Sequence, residues 1–207
     1  SLSNNDSGTS NTTFGKLAGA ALASGGNYNL LIGENSGNDL TTADSNIAIG
    51  FNALSLATSA ADDNTAVGTS AMSGNWTTAE VDDCVVIGSS AVQGVLTTDA
   101  SGTVAIGKSA LAALTSGAGN LAIGLGALAT TNTGARNIGI GYYAMTHSDT
   151  ANDNIAIGYG AMYDTNSGGD AQDSDHNIAI GSLAMSGIWA DAKSEYNIGI
   201  GSNVMDA

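Results

Sequence analysis

The sequence predicts an all-β protein, a parallel β-solenoid (β-roll) of about eleven coils of 17–23 residues each. The first observation is a recurring box: Asn, apolar, small, Ile, Gly, two variable residues, Ala, then Leu or Met. The second is its spacing, since a coil of this length buries its apolar face only when further coils stack on it. The box glycines are Gly15, Gly33, Gly50, Gly68, Gly88, Gly107, Gly124, Gly141, Gly158, Gly181 and Gly201.

The residues before each box glycine predict a short strand. Residues 46–50, NIAIG, alternate large and small side chains, and this period of two separates the two faces of a strand. We expect the small column to lie outside and the large residues to form one buried stack, including Ile49, Ile106, Ile123, Ile157 and Ile180. The box glycine ends the strand where the chain bends or takes a positive φ.

Two further columns have predicted structural roles. Asn occupies the position four before the box glycine in nine of eleven copies, with Cys84 and Thr103 in the others. We expect these residues to form a ladder that satisfies turn amides. Trp76, Leu96 and Trp189 each follow a box glycine by eight residues in the longer coils. We interpret them as anchors of their loops rather than as ligand-binding residues.

Composition excludes several classes of partner. The chain has 4 Lys and Arg against 19 Asp and Glu, a formal net charge of −15, so it lacks the basic surface that nucleic acid requires. The one cysteine allows no internal disulfide, and no run of 18 apolar residues predicts membrane insertion. We expect a polar N-terminal leader at residues 1–10, followed by one repeat domain at residues 11–207.

The box resembles the repeats of two groups of surface fibres. It is similar to the YadA-like heads of trimeric autotransporter adhesins, and closer to the Asn-x-Ala-Ile-Gly-Tyr-x-Ala-Leu repeats of bacteriophage tail fibres. Residues 154–162, NIAIGYGAM, match that form at every defined position but the last, where Met replaces Leu. The resemblance implies a homotrimer. An outward stripe of small residues also favours chain-to-chain packing, and the predicted interface is Ala48, Ala66, Ala105, Ala122, Gly139, Ala156, Ala179 and Gly199.

Candidate sites are few, and we expect no catalytic residue and no cofactor. Four tyrosines close together in the sequence, Tyr142, Tyr143, Tyr159 and Tyr163, could stack on sugar rings and bind their hydroxyls. Cys84 has no histidine placed to activate it, and His147 and His176 are expected in exposed loops. An acidic loop is a weak Ca²⁺ candidate, with a solvated loop as the preferred interpretation; its carboxylates are Asp164, Asp170, Asp173 and Asp175.

The predicted function is that of a structural or adhesive segment of a phage-type or bacterial surface fibre. Its location would be extracellular, on a virion tail fibre or a bacterial cell surface. Its partners would be further copies of itself and a cell-surface glycan or protein receptor. The alternative is an ice-binding solenoid, in which a flat ladder of small residues orders water. A hexapeptide-repeat acyltransferase is the third candidate, although only one unit per coil fits that repeat.

Overall fold

The computed structural model describes residues 8–22, 25–57, 61–76, 81–97, 100–163, 174–187 and 194–205. Within these ranges eleven three-residue strands pair in parallel, in chain order, in one sheet. This confirms the all-β solenoid, with one strand for each box. The strands are β1 (Thr12–Phe14), β2 (Leu30–Ile32), β3 (Ile47–Ile49), β4 (Thr65–Val67), β5 (Val85–Ile87), β6 (Val104–Ile106), β7 (Leu121–Ile123), β8 (Ile138–Ile140), β9 (Ile155–Ile157), β10 (Ile178–Ile180) and β11 (Ile198–Ile200).

Equivalent box positions lie directly above one another. Between β8 and β9, for example, Gly139 pairs with Ala156 and Ile140 pairs with Ile157. The same register holds between β9 and β10, although their box glycines are 23 residues apart rather than 17. Differences in coil length therefore leave the sheet unchanged, and each box position becomes a ladder along the stack.

The two faces of the sheet are the reverse of the prediction. The middle residue of every strand is buried, and the residues on either side of it are half-buried or exposed. The expected core residues Ile49, Ile106, Ile123, Ile157 and Ile180 therefore point outward. The expected interface residues are buried inside their own chain, which corrects their assignment as contacts between chains: Ala48, Ala66, Ala105, Ala122, Gly139, Ala156, Ala179 and Gly199.

The thin interior of the coil explains this reversal. The middle residue of each strand faces the buried Ala and Leu or Met that follow the box glycine, so small and large side chains share one layer. A Cβ on Gly139 would lie 2.9 Å from Cγ of Leu128. In coil two the sizes are exchanged, because Leu31 fills the space above Gly37, where a Cβ would lie 2.8 Å from Leu31 Cδ2. In these coils the space between the middle of the strand and the turn opposite it therefore holds one large side chain, not two.

The box glycines occupy a bend that other residues fit poorly. Gly158 has a φ of 135°, and a Cβ there would come within 2.6 Å of the carbonyl carbon of Gly181 in the next coil. Two reasons therefore favour glycine at the bend. The backbones of successive coils lie too close together to leave room for a side chain, and the positive φ is a conformation that glycine adopts most easily.

The asparagine column forms the predicted ladder. Oδ1 of Asn137 accepts a hydrogen bond from the backbone N–H of Asn154 at 3.0 Å. Nδ2 of Asn137 donates to the carbonyl of Ala151 at 2.7 Å. The substituted coils alter this pattern: the Cys84 thiol donates weakly to carbonyls, and the buried hydroxyl of Thr103 has no hydrogen-bond partner. Two successive coils therefore interrupt an otherwise repeated polar column.

A second ladder, absent from the sequence analysis, runs two residues before the asparagine column. Here an acidic or amide side chain accepts the backbone N–H of the equivalent residue in the preceding coil. Oδ1 of Asp44 accepts from Asn27 at 2.6 Å, and Oδ1 of Asp62 accepts from Asp44 at 2.7 Å. Oδ1 of Asp82 accepts from Asp62 at 2.8 Å. Part of the acidic composition is therefore structural.

The loop anchors agree with the prediction where they are described. Trp76 is buried and pairs in parallel with Ala57 of the preceding coil, and Leu96 is buried in the next. Each side chain therefore returns to the core of the stack. Trp189 lies outside the described residues.

Candidate functional site

The outward side of the sheet presents a continuous apolar surface, here called the aliphatic face. It consists of the first and third residues of β1–β11, which are Ile, Val or Leu at most positions. Ile47, Ile87, Ile180, Ile198 and Ile200 are exposed, the last two at 65%. Eleven strands about 4.8 Å apart, each about 10 Å long, give a face of roughly 500 Å².

The area of the aliphatic face lies within the range of the largest apolar patch on a soluble monomer. The largest exposed apolar patch of a typical monomer is about 300–600 Å² and commonly has a function. This patch also carries β-branched side chains, which form strands well but leave their methyl groups in water. The aliphatic face is therefore the surface best suited to cover by another chain, in place of the buried small column.

The four predicted tyrosines do come together and are here called the tyrosine cluster. Rings of Tyr142 and Tyr159 stack with centroids 5.7 Å apart and planes 12° from parallel. Tyr143 meets Tyr142 at 4.3 Å and 68°, and Tyr163 meets Tyr143 at 6.1 Å and 65°. The cluster is therefore concave, with walls in different directions, rather than the flat patch expected from the sequence.

A cavity of about 360 Å³ opens at the tyrosine cluster. Its lining consists of Tyr142, Tyr143, Tyr159, Gly160, Tyr163 and Leu183. This volume lies near the small end of the range for ligand pockets, about 300–1,000 Å³. The cavity is therefore large enough for a small chemical group, and its walls are almost entirely aromatic or aliphatic.

The cavity arises from the column two residues after the box glycine. In four successive coils this column reads Gly126, Tyr143, Gly160 and Leu183. A Cβ on Gly126 would overlap the Tyr143 ring, and a Cβ on Gly160 would lie 2.8 Å from Leu183 Cδ2. Alternating glycine with a bulky residue thus makes room for each large side chain. The sequence analysis missed Gly160 and Leu183, although reading this column would have shown the alternation.

Local contacts orient the rings of the cluster and raise the pKa of one phenol. The hydrogen bond with Tyr143, followed by partial desolvation, raises the pKa of Tyr142 above its usual value. His147 packs edge-on against Tyr163 at 5.1 Å, and its Nδ1 lies 2.9 Å from the Tyr163 carbonyl oxygen. His147 is therefore half-buried beside the cluster rather than an exposed loop residue as expected.

The other side chains that could take part in chemistry, at Cys84, His176 and Asp153, make contacts typical of structural residues. Burial raises the pKa of the Cys84 thiol from 9.0 to about 11, which opposes formation of the nucleophilic thiolate. His176 is exposed, stacks on Tyr196 at 4.9 Å, and lies 3.8 Å from an Asp153 carboxylate oxygen. Asp153 also binds Arg136 through two hydrogen bonds of 2.7 Å, and that contact lowers the pKa of Asp153.

The acidic Ca²⁺ candidate lies largely outside the described residues. Asp164, Asp170 and Asp173 are not among them, whereas Asp175 accepts the backbone N–H of Asn152 at 2.6 Å as part of the second ladder. Within the described ranges, no three His, Cys, Asp or Glu side chains come together as a metal site. Asp175 itself is thus accounted for by a backbone contact.

In the described part of the chain, no helix has the length and apolar character needed to span a bilayer. Comparisons of the sequence and fold with family models, curated proteins and solved structures gave no match. The site is therefore interpreted from its own geometry.

Proposed function

We propose that the chain is a structural and adhesive segment of an extracellular surface fibre, of the phage-tail or bacterial type, that assembles as a homotrimer. The observation that carries this proposal is the aliphatic face, which runs along all eleven strands. A stack of parallel coils is a rod, and identical apolar ladders along it allow identical chains to associate in register.

The size of the face supports such an assembly. Two faces of roughly 500 Å² bury about 1,000 Å² between them, the lower limit for a biological interface. Closed symmetry covers the face on every subunit, whereas a monomer leaves it in water. The number three comes from the resemblance of the box to fibre repeats.

The tyrosine cluster is the candidate contact with a cell-surface receptor, for which the sequence predicts a glycan or a protein. Tyr142 and Tyr159 are 45% and 56% exposed, so a rigid rod presents their rings to solvent. The ice-binding alternative required the small column to face water. Because that column is buried, the alternative loses its basis in the fold.

The trimer is tested by native mass. We expect the wild-type chain to scatter light as a trimer at micromolar concentration, and the double variant Ile123→Lys, Ile140→Lys to scatter as a monomer with unchanged circular dichroism. The control variant Gln93→Lys adds a charge at an exposed position outside the strands and should remain trimeric. A monomeric wild-type chain, or a trimeric double variant, would overturn the proposal.

A further inference from the structure

The walls of the tyrosine cluster form a cage rather than a platform. A sugar ring stacks best on one broad aromatic surface, and the cluster does not offer one. Tyr143 stands at 68° to Tyr142 and Tyr163 stands at 65° to Tyr143, so ring planes in at least two directions border the cavity that Gly160 lines. This arrangement suits a compact, nearly spherical group that contacts several rings at once.

The residues that line the cavity favour a positively charged ligand group. Six residues line the cavity, and their side-chain polar atoms are phenol hydroxyls. Aromatic faces attract cations, and the formal net charge of −15 favours a cation and opposes an anion. A primary ammonium would have to exchange its hydrogen bonds with water for hydrogen bonds to phenol oxygens, and each N–H group left unpaired carries a desolvation cost. A quaternary ammonium has no N–H group and loses none.

We propose that the tyrosine cage binds a quaternary ammonium group of the choline type. The trimethylammonium would occupy the cavity above Gly160, against the exposed rings of Tyr159 and Tyr163. The inference deepens the proposed attachment function by naming the ligand class of the receptor-contact site. It rests on that function only for the biological source of the ligand, since the cage is tested with small molecules.

The test is a titration with choline, followed by NMR of its methyl protons. We expect saturable binding with an upfield ring-current shift of those protons. The neutral isostere 3,3-dimethylbutan-1-ol, which has the same shape without the charge, should bind at least tenfold more weakly. Equal binding of the two, no binding of choline, or binding of methyl glucoside in its place would overturn the proposal.

Matched variants at one ring separate the cage from a hydroxyl-based site. Tyr159→Phe keeps the aromatic face and should change the choline dissociation constant by less than about threefold. Tyr159→Leu removes the face and should weaken binding about tenfold. Tyr28→Leu, at a 67% exposed tyrosine outside the cluster, should have no effect. Loss of binding in Tyr159→Phe would contradict the cage, and circular dichroism confirms that each variant folds.

Two further arms identify the source of the ligand and separate this proposal from the fibre proposal. Phosphatidylcholine vesicles test a lipid headgroup, and phosphocholine on a soluble carrier tests a ligand displayed on a glycan or protein. Both should compete with free choline for the cage; failure of both would restrict the site to the free cation. Because the titration can be run on the Ile123→Lys, Ile140→Lys variant, choline binding and trimer formation can fail independently.

Discussion

The inverted faces of the sheet make opposite predictions for two adjacent residues of β9. Ala156 is fully buried, whereas Ile157 is half-buried on the aliphatic face. If the small column faced outward, Ala156→Gln would be harmless to the fold and Ile157→Thr would damage the core. From the observed structure we expect the reverse.

The magnitude follows from the space around the small column. At the equivalent position in β8, a single methyl group on Gly139 would already lie 2.9 Å from Leu128 Cγ. The Gln side chain is much larger, so overpacking costs about 1–3 kcal/mol. Its amide also lacks prepared partners, which costs a further 1–3 kcal/mol. We therefore expect Ala156→Gln to lower the free energy of unfolding by about 2–6 kcal/mol.

Urea unfolding followed by far-ultraviolet circular dichroism measures this difference. It should be run on the Ile123→Lys, Ile140→Lys background, so that loss of the contacts in the proposed trimer does not add to the result. On that background Ile157→Thr should cost no more than about 1 kcal/mol, because its side chain is only partly buried. Equal stability of Ala156→Gln and its parent, or a larger loss for Ile157→Thr, would refute the assignment of the two faces.

Four further predictions concern the turns and ladders. Cys84→Asn should supply an Oδ1 acceptor toward the next coil and raise the free energy of unfolding by about 1 kcal/mol in urea; an unchanged or lower value would contradict the ladder account. The Cys84 pKa of about 11 predicts that a thiol reagent at pH 8 labels unfolded chains much faster than folded ones. Since burial raises this pKa from 9.0, its contribution to stability is complete below pH 9 and is lost as pH rises through 11, which a urea series at increasing pH would measure. Gly158→Ala should lower the free energy of unfolding by at least about 2 kcal/mol, because of backbone strain and contact with the next coil. Gly102→Ala, where φ is 69° and the space is open, should lower it by only about 1 kcal/mol. Similar shifts in the melting temperatures of the two variants would be inconsistent with close approach of the backbones at the bend.

The sequence alone determined the order and direction of the fold. The box of residues 154–158 recurs at intervals that fit one coil, and each copy is a strand of one parallel sheet in chain order. The asparagine ladder and the Trp76 anchor also followed from the sequence. These features depend on local periodicity and on stacking like residues upon like, so their positions in the chain are sufficient to predict them.

Only the tertiary structure decided which face of the sheet is inside. A period of two separates two faces but does not say which one is buried, and the general preference for large residues in cores gave the wrong answer. The space between the middle of the strand and the opposite turn takes one large side chain, and in most coils that side chain comes from the turn. In the sequence, a large strand residue goes with a small turn residue in coil two (Leu31 and Gly37), and the sizes are reversed in coil three (Ala48 and Leu54). This compensation shows which strand residue is buried only once the strand and the turn are known to be in contact across the coil.

For the tyrosine cage, too, the sequence predicted one part and the tertiary structure supplied the rest. The sequence identified the four tyrosines because they lie in neighbouring coils, yet their closeness did not specify their angles. Room for the cavity depends on Gly160 between Tyr143 and Leu183, three residues that are far apart in the chain and adjacent in the stack. Ring orientation and open volume are set by contacts between coils, which is why the tertiary structure was needed to turn a tyrosine patch into a cage.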